Sequence, residues 1–428
     1  MSSIELNEQF LQTLELMELG QQNLFITGKA GTGKSTLLNH FKTVTQKKIA
    51  VLAPTGAAAV NIKGQTIHSF FGFKPDVTPE SVKVTKKKNI YKSLDAIIID
   101  EISMVRADLL DCIDKFLRFN GKDPSRAFGG IQMIFIGDLY QLPPVVQSSE
   151  RQIFQSHYHS PYFFSAHCFE EIEIKYIELK TIYRQSDPKF ISLLNSIRNN
   201  TTSDQEIALL NERYNESFNS TPQDFCIYLT TTNANAELIN SQRLQQVTET
   251  EFTFQGAIEG DFAKNQLPTA ADLKLKIGAQ VMMLSNDFMG RYINGTIGKI
   301  LDIERGDEDP KLVILLESGK RVKVSPYTWE LYNFYLEGVE LKSKVVGSFT
   351  QYPVTLAWAI TIHKSQGKTF DKVVLDIGYG TFAHGQIYVA LSRCRTLEGL
   401  VLTKKILKKH ILMDSAVSKF SLRYSDIS

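Results

Sequence analysis

The sequence is poor in the residues that staple small or secreted folds. Its 428 residues hold four cysteines, Cys112, Cys168, Cys226 and Cys394, which lie far apart and form no C-x-x-C pair. That spacing argues against a zinc site, a redox motif or a disulfide framework, and it fits a reducing compartment. An excess of one charge is also lacking. Lysine plus arginine number 48 against 46 acidic residues, a net charge of +2. No global field announces a polyanionic partner, although a balanced total can hide a basic cleft. No apolar run is long enough to span a bilayer, and residues 1–20 are amphipathic and acidic rather than signal-like. The expectation is no membrane association and a cytoplasmic protein, or a nuclear one if the source has a nucleus. Short-period repeats and low-complexity tracts are absent too. What is present is ordinary for a globular protein: 43% hydrophobic and 22% charged residues, in a chain long enough for roughly two to four domains.

Short apolar runs alternate with helical spacing. Asn23–Thr27, Ile49–Ala53, Ala96–Ile99 and Met133–Ile136 read as buried strands. Continuous runs of this kind, separated by helices, argue for a parallel sheet covered on both faces. The same grammar restarts at Phe225–Leu229 and Val373–Asp376, so a second α/β layer is expected, with the break near residues 170–180. Two stretches interrupt the pattern. Residues 63–93 carry Phe70, Phe71, Phe73, two prolines and Lys86-Lys87-Lys88, and read as a small insertion with a basic tip. Residues 298–348 are β-rich, with turns at Gly306 and Gly319, and read as a small inserted barrel.

Gly28-Lys29-Ala30-Gly31-Thr32-Gly33-Lys34-Ser35 fits G-x-x-x-x-G-K-[ST] between a strand and a helix. Glycines let successive backbone N–H groups converge on phosphate oxygens, and the helix start adds a favourable dipole. Lys34 can reach the β- and γ-phosphates, and Ser35 can ligate Mg2+. Thr36 follows in the same turn. Asp100 and Glu101 end the next apolar run but one, where Asp100 can hold the metal through water and Glu101 can polarise an attacking water. A glutamate here favours hydrolysis over transfer to a small acceptor. Gln141, in Gly137–Pro144, is an uncharged amide that can contact the γ-phosphate.

With these segments in place, the chain resembles superfamily-one DNA helicases, and more narrowly the petite-integration-frequency (Pif-type), RecD-like helicases. Leu6-Asn7-Glu8-Gln9 resembles the adenine-reading glutamine motif. Ala53–Ala59 and Thr66–Phe71 resemble strand-contacting motifs, and Leu179–Gln185 the motif whose arginine meets the γ-phosphate. Leu229–Asn233, Thr361–Phe370 and Tyr388–Arg395 complete the series. The resemblance implies two RecA-like parallel-sheet domains, residues 1–175 and 176–428. It places a wedge insertion at about 63–93 and an SH3-like β-barrel at about 298–348. It implies ATP with Mg2+ as cofactors. Gln9, Gly28, Ala30, Gly31, Thr32, Gly33, Lys34, Ser35, Thr36, Asp100, Gln141, Arg184, Gly367 and Arg393 would hold the nucleotide, with Ser35 and Asp100 on the metal. Catalysis falls to Lys34, Glu101, Gln141, Arg184 and Arg393. The two arginines lie across a cleft and couple its closure to triphosphate binding; Arg395 reads as a solvated ion pair.

A motor must grip a strand without reading its sequence, through hydroxyls, backbone N–H groups and stacked aromatics. Thr55, Gly56, His68, Phe70, Thr231, His363 and Ser365 are the candidates. Phe70, Phe71 and Phe73 also suit a wedge, weighed evenly against a core role. Lys86–Lys88, and Arg321, Lys323, Lys342 and Lys344 in the β-rich insert, are weaker signals. The resemblance implies a monomeric motor that moves 5′-to-3′ on single-stranded DNA and acts at single-strand/duplex junctions. It also implies unwinding of duplex, DNA–RNA hybrids and G-quadruplexes. The chain starts near the glutamine motif and ends soon after the last one, which reads as a minimal motor core of bacterial or phage type. Two rivals stay open from residues alone: a phosphate-loop kinase, and a nucleotide-switched DNA clamp without unwinding activity.

Overall fold

The computed structural model describes residues 7–425 apart from 75, 87, 147–149, 219–220, 222–223, 263–265, 306–308, 338–339 and 379. Lys87 and Gly306 therefore lie outside the described residues, as does the side chain of Lys342. Two compact units are present. One comprises Ser2–Tyr183, Leu331–Val346 and Asp414–Ser428; the other comprises Arg184–Glu330 and Gly347–Met413.

The first unit is built on a six-stranded sheet in the order Gln65–Thr66, Ile49–Ala53, Ala96–Ile99, Gln132–Ile136, Asn23–Gly28, Ile174–Leu179. Every neighbouring pair is parallel. The strands are apolar on both sides because both faces are covered. Leu24, Ile26, Val51, Ile98 and Ile134 point one way, onto Leu37, Leu38 and Phe41 of the helix Lys34–Val44. Their sequence neighbours Phe25, Leu52, Ile97, Ile99 and Phe135 point the other way, onto Leu110, Ile113 and Leu117 of the helix Ala107–Asn120. This is the period-two alternation of a strand, with each face buried separately.

The expected boundary after residue 175 moves, because Ile174–Leu179 pairs along its whole length with Asn23–Gly28 and is the sheet's edge strand. The last helix, Ser415–Ser425, also belongs to this unit. Phe420 stacks on Phe164 at 4.3 Å and Tyr424 on Tyr176 at 5.1 Å.

The wedge reading of Phe70 is corrected. Phe70 and Phe71 are buried, on the helix Ile67–Phe71. Phe70 meets Phe71 edge-on at 4.9 Å and Tyr91 at 5.5 Å, and Phe71 meets Phe116 at 5.2 Å. Phe73 stacks on Phe71 from the partly exposed side. The residues join the main core because the helix presents its apolar face to Ala107–Asn120. Phe70→Ala is expected to cost ~3–5 kcal/mol of stability, as for other buried phenylalanines. Thermal melting would read this loss, with no separate loss of DNA affinity.

The second unit repeats the α/β grammar with a four-stranded parallel sheet, in the order Ala359–Thr361, Ile227–Thr230, Val373–Asp376, Leu400–Leu402. Its β-rich part is larger than expected. A five-stranded antiparallel sheet runs Arg321–Val324, Lys311–Leu316, Ile297–Glu304, Gln280–Met283, Val354–Leu356. Two of these strands lie outside 298–348. Lys311–Leu316 and Arg321–Val324 alternate buried and more exposed positions, and were readable. Gln280–Met283 is buried throughout and carries no such period. Together the two parallel sheets are the RecA-like α/β pair that the sequence implies. Among the described residues, no helix is long and apolar enough to cross a membrane.

Candidate nucleotide and strand-contacting sites

In a parallel α/β sheet, ligands gather where the strands end. The carboxyl ends of the first sheet carry the predicted motifs side by side. Asn23–Gly28 runs into the phosphate loop, Ile49–Ala53 into Thr55, Ala96–Ile99 into Asp100 and Glu101, and Gln132–Ile136 into Asp138 and Gln141.

The loop is shaped by its glycines. Gly28, Gly31 and Gly33 have φ values of 152°, 85° and 85°. A Cβ on Gly28 would meet Thr32 Oγ1 at 2.6 Å and the Leu179 carbonyl at 2.7 Å. Gly33 precedes the helix Lys34–Val44, whose start has no side-chain cap. The Lys34 ammonium donates to the carbonyls of Gly28 (2.6 Å) and Lys29 (3.1 Å), folded onto the loop it serves. Thr32 is buried and donates to the Lys29 carbonyl at 2.9 Å. Ala30 is buried, whereas Ser35 and Thr36 are exposed on the first turn.

Asp100 is buried. Desolvation, then the neighbouring Glu101 carboxylate, raise its pKa, and the Lys34 ammonium opposes them. Glu101 sits at φ 50°, ψ 42°, a left-handed conformation rare outside glycine. Gln141 is buried, and its amide donates to Asp138 Oδ2 at 3.3 Å. Asp138, buried as well, also accepts from the Tyr140 N–H. This anchoring role of Asp138 is not legible in the motif itself.

Gln9 lies on the helix Glu8–Leu19, whose Asn7 cap accepts from the Phe10 N–H. Its amide donates to the Glu178 carbonyl at 2.6 Å and accepts from the Lys180 N–H at 3.0 Å. A primary amide has two N–H groups and two lone pairs. One of each is engaged, which leaves the donor–acceptor pair that an adenine edge requires. Tyr183, not singled out from the sequence, lies beside the phosphate loop and the Asn7 cap. Its hydroxyl accepts from Asn7, and a Cβ on Gly33 would be 3.8 Å from its ring.

Thr55 caps the helix Gly56–Asn61 by accepting from the Ala58 N–H, and it is exposed. His68 is half-buried. Burial lowers its pKa, opposed by Asp108.

In the second unit, Thr231 is buried, and its neighbour Thr232 caps the helix Asn233–Gln246. His363 is half-buried, and burial lowers its pKa. Gly367, at φ 75°, is exposed. Ser365 corrects its expectation: it is fully buried, and its hydroxyl donates inward to the Ile362 carbonyl at 2.7 Å. It serves the loop's shape rather than a strand. Arg393, expected to reach a phosphate, is also buried. Its guanidinium donates to the carbonyls of Val389 (2.9 Å), Ser365 (3.3 Å) and Lys368 (3.4 Å) and to Ser392 Oγ (2.8 Å). Arg184 donates to the Ser392 carbonyl at 3.2 Å. Gln185, buried and unassigned by the sequence reading, binds the carbonyls of Ser392 and Cys394 at 3.0 and 3.1 Å. The three motifs around residues 184, 365 and 393 are thus one hydrogen-bonded network. Arg395 pairs with Asp371 at the surface, as expected.

Comparison with known proteins agrees with this geometry. A model of PIF1-like helicases matches residues 8–207, and a UvrD-like helicase C-terminal domain matches residues 356–401. The ATP-dependent DNA helicase Pif1 of Bdellovibrio bacteriovorus is 33% identical over 409 residues, covering 93% of this chain and 87% of that protein. The crystal structure of Bacteroides Pif1 with ADP-AlF4 matches with a TM-score of 0.92 at 38% identity, over 100% of this chain and 98% of that one. Bacteroides Pif1 bound to single-stranded DNA matches at 0.70 and 38%, over 99% and 98%. With phosphate loop, paired carboxylates and arginine network in family order over nearly its whole length, the chain belongs to the PIF1-like helicases.

Proposed function

We propose that this chain is an ATP-driven motor that moves 5′-to-3′ on single-stranded DNA and unwinds duplex from a single-strand junction. DNA–RNA hybrids and G-quadruplexes are further substrates of the same activity. The observation that carries the reading is the joining of Arg184, Arg393 and the Thr361–Phe370 segment in one network. A change felt by either arginine reaches that loop, since Arg184 holds the Ser392 carbonyl and Arg393 holds both Ser392 Oγ and the carbonyls of Ser365 and Lys368. A kinase has no use for such a link.

Lys34 holds the β- and γ-phosphates, and Glu101 takes the proton of the attacking water. Arg184 neutralises charge on the γ-phosphoryl oxygens, and Arg393, buried on the carbonyls of Val389, Ser365 and Lys368, would join it only on leaving those partners. Thr55, Gly56, His68, Thr231 and His363 follow the strand; a Bacteroides relative is seen bound to single-stranded DNA. The buried Asp100 carboxylate, costly to ionise alone, and the exposed Ser35 hydroxyl form the hard-oxygen donor set that suits Mg2+. When bound there, the ion would neutralise triphosphate charge.

Strand displacement from 5′-tailed and 3′-tailed duplexes tests the reading. Only the 5′-tailed duplex should be unwound, and unwinding of neither would leave the DNA-clamp alternative. Gln9→Ala is expected to raise KM for ATP about three- to tenfold, with GTP little affected, since it removes about one to two hydrogen bonds to the base. Equal effects on both nucleotides would refute the adenine contact.

A further inference from the structure

Residues 285–296 join the antiparallel strands Gln280–Met283 and Ile297–Glu304. They put three large apolar side chains into water: Phe288 is 104% exposed, Met289 76% and Ile293 65%. Nothing in the fold requires them there, and exposed apolar clusters mark contact surfaces.

The loop that carries them is firmly built. The Asp287 carboxylate accepts from the backbone N–H groups of Met289 (3.0 Å) and Arg291 (3.1 Å). It also takes both Nε (2.9 Å) and Nη2 (2.6 Å) of the Arg291 guanidinium. Gly290, at φ 68°, closes the turn onto the Asp287 carbonyl, and the Asp287 N–H binds the Tyr292 carbonyl. Tyr292 itself is buried in the core of the sheet. At the root, the Asn294 N–H binds Asn286 Oδ1 at 2.8 Å.

The same root is tied to the Thr361–Phe370 segment. Lys368 Nζ donates to Asn294 Oδ1 at 2.7 Å. Gly295 packs so closely on the Lys368 stem that a Cβ there would sit 3.4 Å from Lys368 Cβ and Cγ. Lys368 also offers its carbonyl to Arg393. The exposed tip is therefore a rigid extension of the loop that the motor reading places on the strand.

We propose that Phe288, flanked by Met289 and Ile293, is a stacking platform for an unpaired base of the strand held by residues 361–370. The proposal rests on the DNA-motor reading above. A nucleobase is the favoured occupant for three reasons. A rigid aromatic ring at a fixed height suits a flat base of any identity, which a motor requires. The loop's charges, Asp287 and Arg291, cancel in their own pair, so no net negative charge repels a phosphodiester. Three side chains also expose less than the ~800 Å² per partner of a stable protein interface.

The test measures affinity of the full chain for a fluorescent oligo(dT) strand and for the same strand with abasic positions. Phe288→Ala should weaken oligo(dT) binding about tenfold, the ~1.4 kcal/mol typical of one stacked base. Its melting temperature should not change, because the side chain packs on nothing. Phe288→Trp should keep the affinity, and its added fluorescence should be quenched at saturating DNA. Abasic strands should lose affinity for the wild type but not further for Phe288→Ala. Wild-type binding with Phe288→Ala within twofold of it would overturn the platform while leaving the motor reading intact. A change in sedimentation of the DNA-free protein on Phe288→Ala would overturn it in favour of a second copy. Failure of the wild type itself to bind the strand would overturn both readings.

Discussion

Glu101→Gln should lower DNA-stimulated ATP hydrolysis by about 10²–10⁴-fold, the range for loss of a positioned general base. Glutamine keeps the length, the hydrogen-bonding shape and the left-handed backbone at φ 50°. What is removed is the proton acceptor and its negative charge. A non-glycine residue in this conformation costs on the order of 1–3 kcal/mol and persists where a site demands it. Nucleotide affinity should hold, because Lys34 and the loop N–H groups are untouched. Loss of the Glu101 charge also relieves part of the rise in the Asp100 pKa, so that carboxylate ionises more readily. Steady-state hydrolysis with and without single-stranded DNA, beside nucleotide binding by fluorescence, checks both halves. Full DNA-stimulated turnover in Glu101→Gln would remove Glu101 from the base role.

Arg184→Ala should reduce kcat for hydrolysis by about 10³–10⁵-fold, as loss of a charge-neutralising arginine does in other phosphate-loop enzymes. Its melting temperature should barely move, because Arg184 is half-buried and its bond to the Ser392 carbonyl is a single neutral acceptor. Arg393→Ala should behave differently. It removes the donor to three backbone carbonyls in a buried setting. Each buried acceptor left unpaired costs ~1–3 kcal/mol. Arg393→Ala should therefore lower the melting temperature as well as activity. Thermal melting alongside single-turnover hydrolysis separates the two arginines. Equal melting temperatures for both variants would show that the Arg393 network is not structural.

Several of these residues were legible as chemistry before any fold was known. Gly28–Ser35 and the Asp100–Glu101 pair are contiguous, and their spacing is dictated by the ligand they serve. The strands that carry them were legible for a related reason: Ile49–Ala53 and Ala96–Ile99 are buried on both faces, so burial writes itself as an unbroken apolar run. Direction was harder. Phe70 and Ser365 stand in motifs that resemble strand-contacting ones, yet both point inward, because a motif records residue types at a spacing and not which way each side chain turns.

By itself, the sequence determined that a phosphate-loop motif, an Asp-Glu pair at a strand end and a second α/β block exist, in the order of one helicase family. Each is a local property, set by a few residues and the backbone geometry they allow. Tertiary structure alone decided the rest. Ile174–Leu179 joins the first sheet, and the last helix returns to it through Phe420, since edge pairing and aromatic packing depend on partners more than a hundred residues away. The same holds for Arg393, whose carbonyl partners Ser365 and Lys368 are 28 and 25 residues distant. It holds too for Phe288, whose exposure follows from a turn built around Asp287 and a root held by Lys368. Contacts of that kind are chosen by three-dimensional packing, and no local spacing records them.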